Sequence, residues 1–392
     1  MGALFVVAAA FARPLAAAVT FPLEVKWSAR LAAPPAFAPA YDAEHVYVSL
    51  RTDELVALLI RDGTRLWSVE CPMTAPPAAG HGFVYAGRDG SIEARYAATG
   101  QLLWQRKVEG RVTSVNFDTG WLIASTESGP LLAMRAADGE VLWQRDLGSP
   151  LSAPPALSGD SLYLGLQDGR VISLALHTGE DAWTQTLAEP AAGILSVGDR
   201  VFVGGRDNQF HSLDWRDGEP DWRWKTGADI LGVPVLDDRR VYFIALDNIL
   251  RGHNRNNGTM LWKQVLPMRP FTGPLLSGQT LIVPGVAAEL HAYSAQDGKP
   301  AGDFVVKGAE SEEMLLAAPP HLTSQGLFVL VTKGGQVRGV GSSAAQPAAP
   351  SPGGPAAVPG ADPAQEVPAG TTDPNAASPQ EPPGPAAAGA TQ

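Results

Sequence analysis

Residues 150–188, broken at their turns, read PLSAPPALSG, DSLYLGLQDG, RVISLALHTG and EDAWTQTLA. Gly-containing turns separate the segments. This pattern predicts four short antiparallel strands. The Asp168-Gly169 pair between the second and third segments suits a tight hairpin that needs positive φ. The third and fourth segments meet at Thr178-Gly179, four residues before Trp183.

That last feature returns about every forty residues. Asp/Thr/Asn-Gly-x-x-x-Trp ends at Trp67, Trp104, Trp143, Trp183, Trp222 and Trp262, and a seventh copy at Asp297-Gly298 has Gly302 in place of Trp. Six residues before each motif Gly stands a residue with little or no side chain: Ala57, Ala94, Ala133, Ser173, Ser212, Gly252 and Ala292. Two residues earlier the position is apolar in every copy, and the same register recurs once more at Val337 and Gly339. Eight units result. The eighth stops after its third strand, whereas the N-terminal stretch FPLEVKWSARL, with Trp27 forty residues before Trp67, has the form of the missing outermost strand. The expected fold is all-β: an eight-bladed β-propeller of four-stranded antiparallel blades, closed by the N-terminal strand. Trp and the small residues are expected to fill the joints between blades, and the joint at Gly302 is expected to be the weakest.

The motif Small-x-x-x-x-x-Gly-x-x-x-Trp resembles the tryptophan-docking motif of the pyrroloquinoline-quinone (PQQ)-like repeat family, over nearly all of residues 20–341. The fuller family form has Asp two residues after the small position; here Asp214 keeps it, while Leu59, Tyr96, Arg135, Ala175, Asn254 and Ser294 replace it. The resemblance implies either a quinone- and Ca²⁺-dependent dehydrogenase or a non-enzymatic propeller similar to the outer-membrane assembly factor BamB. Ca²⁺ needs six to eight oxygen ligands, several from carboxylates. The innermost segments, among them SPLSAPPALS and MLLAAPPHLT, contain no Asp, Glu, Lys or Arg. The expectation is therefore a non-catalytic protein-binding scaffold with no cofactor and no catalytic residues. A PQQ-binding oxidoreductase or sensor module is the alternative.

Composition bounds the partners. The formal net charge is −11, which disfavours nucleic acid. Cys71 is the single cysteine, so no internal disulfide or thiolate cluster can form. The seven histidines form no i, i+2 or i, i+4 pair, and no metal site is expected. Residues 1–18 have an apolar run from Gly2 to Ala12 and an Ala-x-Ala-like site ending at Ala18, the form of an export signal, too short to cross a bilayer. A propeller over 19–341 and a disordered Pro/Ala/Gly-rich tail over 342–392 follow. An exported, monomeric, periplasmic protein meeting envelope partners, such as the outer-membrane assembly machinery, fits this layout.

One charge pattern points to a binding surface. The residue four before each apolar register position runs Arg51, Arg88, Glu127, Gln167, Arg206, Leu246, Val286 and Lys333. With the ring closed, Lys333, Arg51 and Arg88 are expected on adjacent units as a basic, partner-binding arc on one rim.

Overall fold

A computed structural model describes residues 18–127, 130–306 and 311–343; the signal-like segment before Ala18 and the tail after Ser343 lie outside the described residues. In the fourth repeat the strands are Ala156–Ser158, Ser161–Gly165, Arg170–Ala175 and Asp181–Thr186, hydrogen-bonded in chain order. The two middle strands are buried along almost their whole length, because neighbouring sheets cover both of their faces. The outer strand Asp181–Thr186 alternates, with Trp183 turned inward. The hairpins between second and third strands have their left-handed residue where Gly or Asn stands: Gly169 at φ +87°, Asn208 and Asn248 at +58°, Gly335 at +77°.

The repeats assemble into an all-β propeller of seven sheets, which corrects the expectation of eight separate four-stranded blades. Six sheets have four strands and one has six. In the six-stranded sheet the second and third repeats run together through two long strands, Phe83–Tyr96 and Leu102–Asp118. The cause is local. The chain passes from the outer strand of one repeat to the inner strand of the next without a loop, bending at Gly110 (φ +77°), and Arg111 pairs with Asp89 at the tip of the preceding hairpin. The last sheet, here the closing sheet, joins the two ends of the described chain: Leu23–Arg30 pairs antiparallel with Gln336–Ser342, followed by Phe328–Val331 and His321–Leu322.

The joints between repeats depend on the Trp motif in a specific way. Each small residue is the cross-strand neighbour of a Trp in its own sheet: Ala57 with Trp67, Ala94 with Trp104, Ala133 with Trp143, Ser173 with Trp183, Ser212 with Trp222, Gly252 with Trp262, and Gly339 with Trp27. The surface that receives the indole is instead the motif Gly of the following repeat. A Cβ added at Gly100 would lie 2.8 Å from the Trp67 ring, at Gly139 2.8 Å from Trp104, and at Gly63 2.5 Å from Trp27. Except at Trp27, the indole N–H then donates to the carbonyl three residues before that Gly, as in Trp67 to Ala97 (2.7 Å), Trp143 to Leu176 (2.7 Å) and Trp183 to Trp215 (2.9 Å). A small neighbour lets the ring lie flat, and a left-handed Gly gives it a floor. Ala292 pairs with Gly302, where Trp is missing, yet this joint is filled: the Phe21 ring lies on Gly302.

Candidate partner-binding cleft

Arg51 follows the strand His45–Ser49 in the first sheet, and Lys333 follows Phe328–Val331 in the closing sheet. Both turns are pinned by backbone bonds, Arg51 N–H to Pro34 O (3.0 Å) and Lys333 N–H to Leu315 O (2.8 Å). Their side chains meet on one open cleft of about 370 Å³, which Arg30, Glu312, Glu313 and Pro34 also line. Arg30 ends the closing strand, and its pairing with Gln336 brings it there. Glu312 and Glu313 come from a 3₁₀ turn, Glu312–Met314, and Gly334 N–H donates to Glu313 O (2.8 Å). Five exposed ionisable side chains of both signs thus share one cleft, yet none of them forms an ion pair among the described residues.

Arg88 does not join them. Its guanidinium turns inward to Glu93 (3.1 Å), a carboxylate only 1% exposed that also accepts from Arg95 (2.7 Å) and the Cys71 thiol (3.0 Å). Burial works to raise the Glu93 carboxyl, but the bonds from Arg95, Cys71 and Arg88 outweigh it and hold the group below the usual carboxylate range. Burial, with Glu93 beside it, pushes the Cys71 thiol up to about 12. The expected arc of three is therefore a pair, Arg51 and Lys333, joined by Arg30. Sequence reading missed Arg30 because its place depends on the register of a strand pair more than three hundred residues apart. It missed Glu312 and Glu313 because they lie outside the repeat register.

The histidines are placed separately. His211 meets Asp207 (2.9 Å), His291 meets Glu289 (3.2 Å) and His45 meets Asp42 (3.0 Å); among the described residues no three His, Cys, Asp or Glu come together as a metal ligand set. The innermost strands Ala40–Tyr41, Ala78–Gly80, Ala156–Ser158, Ala191–Val197, Val235–Leu236, Leu275–Ser277 and His321–Leu322 offer no carboxylate to an axial Ca²⁺, and the third repeat's inner segment, within Leu102–Asp118, has its two only at either end, Glu109 at the Gly110 bend and Asp118 at the turn beyond. That donor set does not fit a quinone–metal pair, and no chemistry is derived through one.

A sequence profile described as outer membrane protein assembly factor BamB matches residues 6–185 and 167–337. The chain belongs to the BamB family. The BamB of Yersinia pestis is 22% identical over 314 residues, 72% of this chain and 78% of the relative. That of Bordetella pertussis is 25% identical over 325 residues, 77% and 82%. The crystal structure of BamB from Moraxella catarrhalis superposes with a TM-score of 0.68 at 18% identity, covering 82% of this chain and all of that one. At such identity the likeness to the solved BamB carries the fold. Among the described residues no helix is long and apolar enough to cross a membrane.

Proposed function

We propose that the chain is a non-catalytic protein-binding scaffold of the bacterial cell envelope. It acts as an exported monomer in the periplasm, beside the outer-membrane assembly machinery, and docks a partner at the cleft between the closing and first sheets. One observation carries the docking site: Arg30, Arg51 and Lys333 face Glu312 and Glu313 across one cleft without an ion pair. Surface charges of opposite sign usually gain little by pairing in water, but a partner that excludes water strengthens each contact and fixes its register. The remainder of the protein is acidic. The net charge is −11 and four carboxylates and no basic residues follow Ser343, which leaves −7 on residues 1–343. An acidic patch on a partner is therefore repelled by most of the surface and drawn to this cleft.

Affinity isolation from native envelopes tests this reading. The triple variant Arg30→Glu, Arg51→Glu, Lys333→Glu, folded by circular dichroism, is expected to recover outer-membrane assembly factors about tenfold less well than the unchanged chain, with the difference shrinking at high salt. Equal recovery by the two proteins would contradict it.

A further inference from the structure

Gly302 occupies a position that holds Trp in the preceding repeats, and ring closure explains why. Elsewhere the indole rests on a Gly in the hairpin between the third and fourth strands of the next repeat. In the closing sheet those two strands, Gln336–Ser342 and Leu23–Arg30, come from opposite ends of the chain, so no such hairpin exists. A Trp at 302 would have no floor. The segment that leads into Leu23 fills the gap instead. A Cβ at Gly302 would lie 2.7 Å from Phe21 Cβ and Cγ.

This segment is held from both sides. Val19 N–H donates to Ser277 Oγ (3.0 Å) in the seventh-repeat sheet, which comprises Leu275–Ser277, Thr280–Pro284, Glu289–Ser294 and Pro300–Val305. On the closing sheet Thr20 N–H donates to Ser342 Oγ (2.9 Å), and Pro22 O accepts from Ser343 N–H (3.0 Å). Val19 is buried, and with Phe21 it packs into an apolar cluster drawn from the two sheets, including Ile282, Leu290, Phe328 and Val340.

We propose that this joint is a peptide-binding site whose ligand is the chain's own segment Val19–Pro22, a strap that replaces the absent indole and latches the two ends of the ring. The ligand class is a short extended peptide with an apolar first residue and an aromatic third. Its backbone bonds set the register, and its two side chains fill the joint.

Hydrogen exchange on full-length variants tests the proposal. In Phe21→Ala, amides of Pro300–Val305 and Gln336–Ser342 are expected to exchange at least about tenfold faster, while those of Asp181–Thr186, across the ring, keep their protection. The synthetic peptide Ala-Val-Thr-Phe-Pro-Leu, the sequence of residues 18–23, added to Phe21→Ala restores protection at those two strands, and the same peptide with Ala for Phe does not. Phe21→Trp keeps the joint closed. Should Phe21→Ala fail to fold, Ser342→Ala, which removes the acceptor for Thr20, gives a smaller loosening confined to the same two strands. Uniform acceleration through every sheet would overturn the proposal, and so would unchanged exchange in both variants or a peptide without effect on a folded Phe21→Ala.

Discussion

Gly90 and Gly139 have nearly the same backbone, φ +69° and +70°, but different surroundings. A Cβ at Gly90 meets nothing within 4 Å, whereas one at Gly139 meets the Trp104 ring and Arg106 Cγ at 2.8 Å. Gly90→Ala should cost about 1–2 kcal/mol for the left-handed conformation alone. Gly139→Ala adds overpacking against an indole held in its own sheet and should cost roughly 1–3 kcal/mol more. Chemical denaturation of the two variants measures the difference, which isolates the packing of the second repeat on the third within their shared sheet. At this scale the sequence was legible in part. The repeat spacing marked each Trp and set it against the small residue six before the motif Gly, which is its neighbour on the adjacent strand; that the motif Gly of the following repeat receives the indole is not written in spacing along the chain. Cys71 is buried and its thiol donates to Glu93 of the following repeat, a contact that no local pattern records.

The strand Phe83–Tyr96 carries both Arg88 and Glu93, and this element decides how far the basic rim extends. Glu93→Ala would leave Arg95, only 13% exposed, without its carboxylate, and should destabilise the fold by about 3–5 kcal/mol in denaturant titration. Arg88→Ala, whose group is 29% exposed, removes one of three donors to Glu93 and should cost less while leaving partner recovery unchanged. The turn register placed Arg51, Arg88 and Lys333 at equivalent positions, and equivalence in a repeat fixes where a side chain starts. Its direction depends on the nearest opposite charge, which for Arg88 is Glu93 on its own strand. The Gly-containing turns were likewise enough to divide each repeat into strands. It could not show that the second and third repeats run into one six-stranded sheet, because that depends on a missing crossover loop and on the pairing of Asp89 with Arg111.

The ring as a whole should weaken in mild acid. His253 is fully buried among Trp222, Trp224 and Phe243, and His321 stacks on Tyr41 with ring centroids 4.2 Å apart. Burial pulls both imidazoles down, each to about 4 from an ordinary value of 6.5. Above that ordinary value both groups are neutral whether folded or unfolded. As pH falls from 6.5 towards 4 the unfolded chain takes up protons that the folded chain refuses, so stability is lost across that window, on the order of a few kcal/mol in total. Urea unfolding at a series of pH values should show this slope, and His321→Phe, which keeps the stack, should reduce it. The propeller class was legible in the sequence, because a forty-residue period needs no knowledge of contacts, but the number of sheets was not, since two repeats share one. The strap at Gly302 was not, since a vacancy in one repeat is filled from a segment outside the repeat.

Under the proposed function, this member of the BamB family meets its partner where the two ends of the described chain close the ring. A photo-crosslinking amino acid at Arg51 tests it in living cells, with one at Gln167 as the control: the same register, exposed, in the fourth-repeat sheet. An adduct with a component of the outer-membrane assembly machinery is expected from position 51, lost when Arg30 and Lys333 are changed to Glu, and none from position 167. Equal labelling from both positions, or an adduct from 51 that survives those changes, would contradict it.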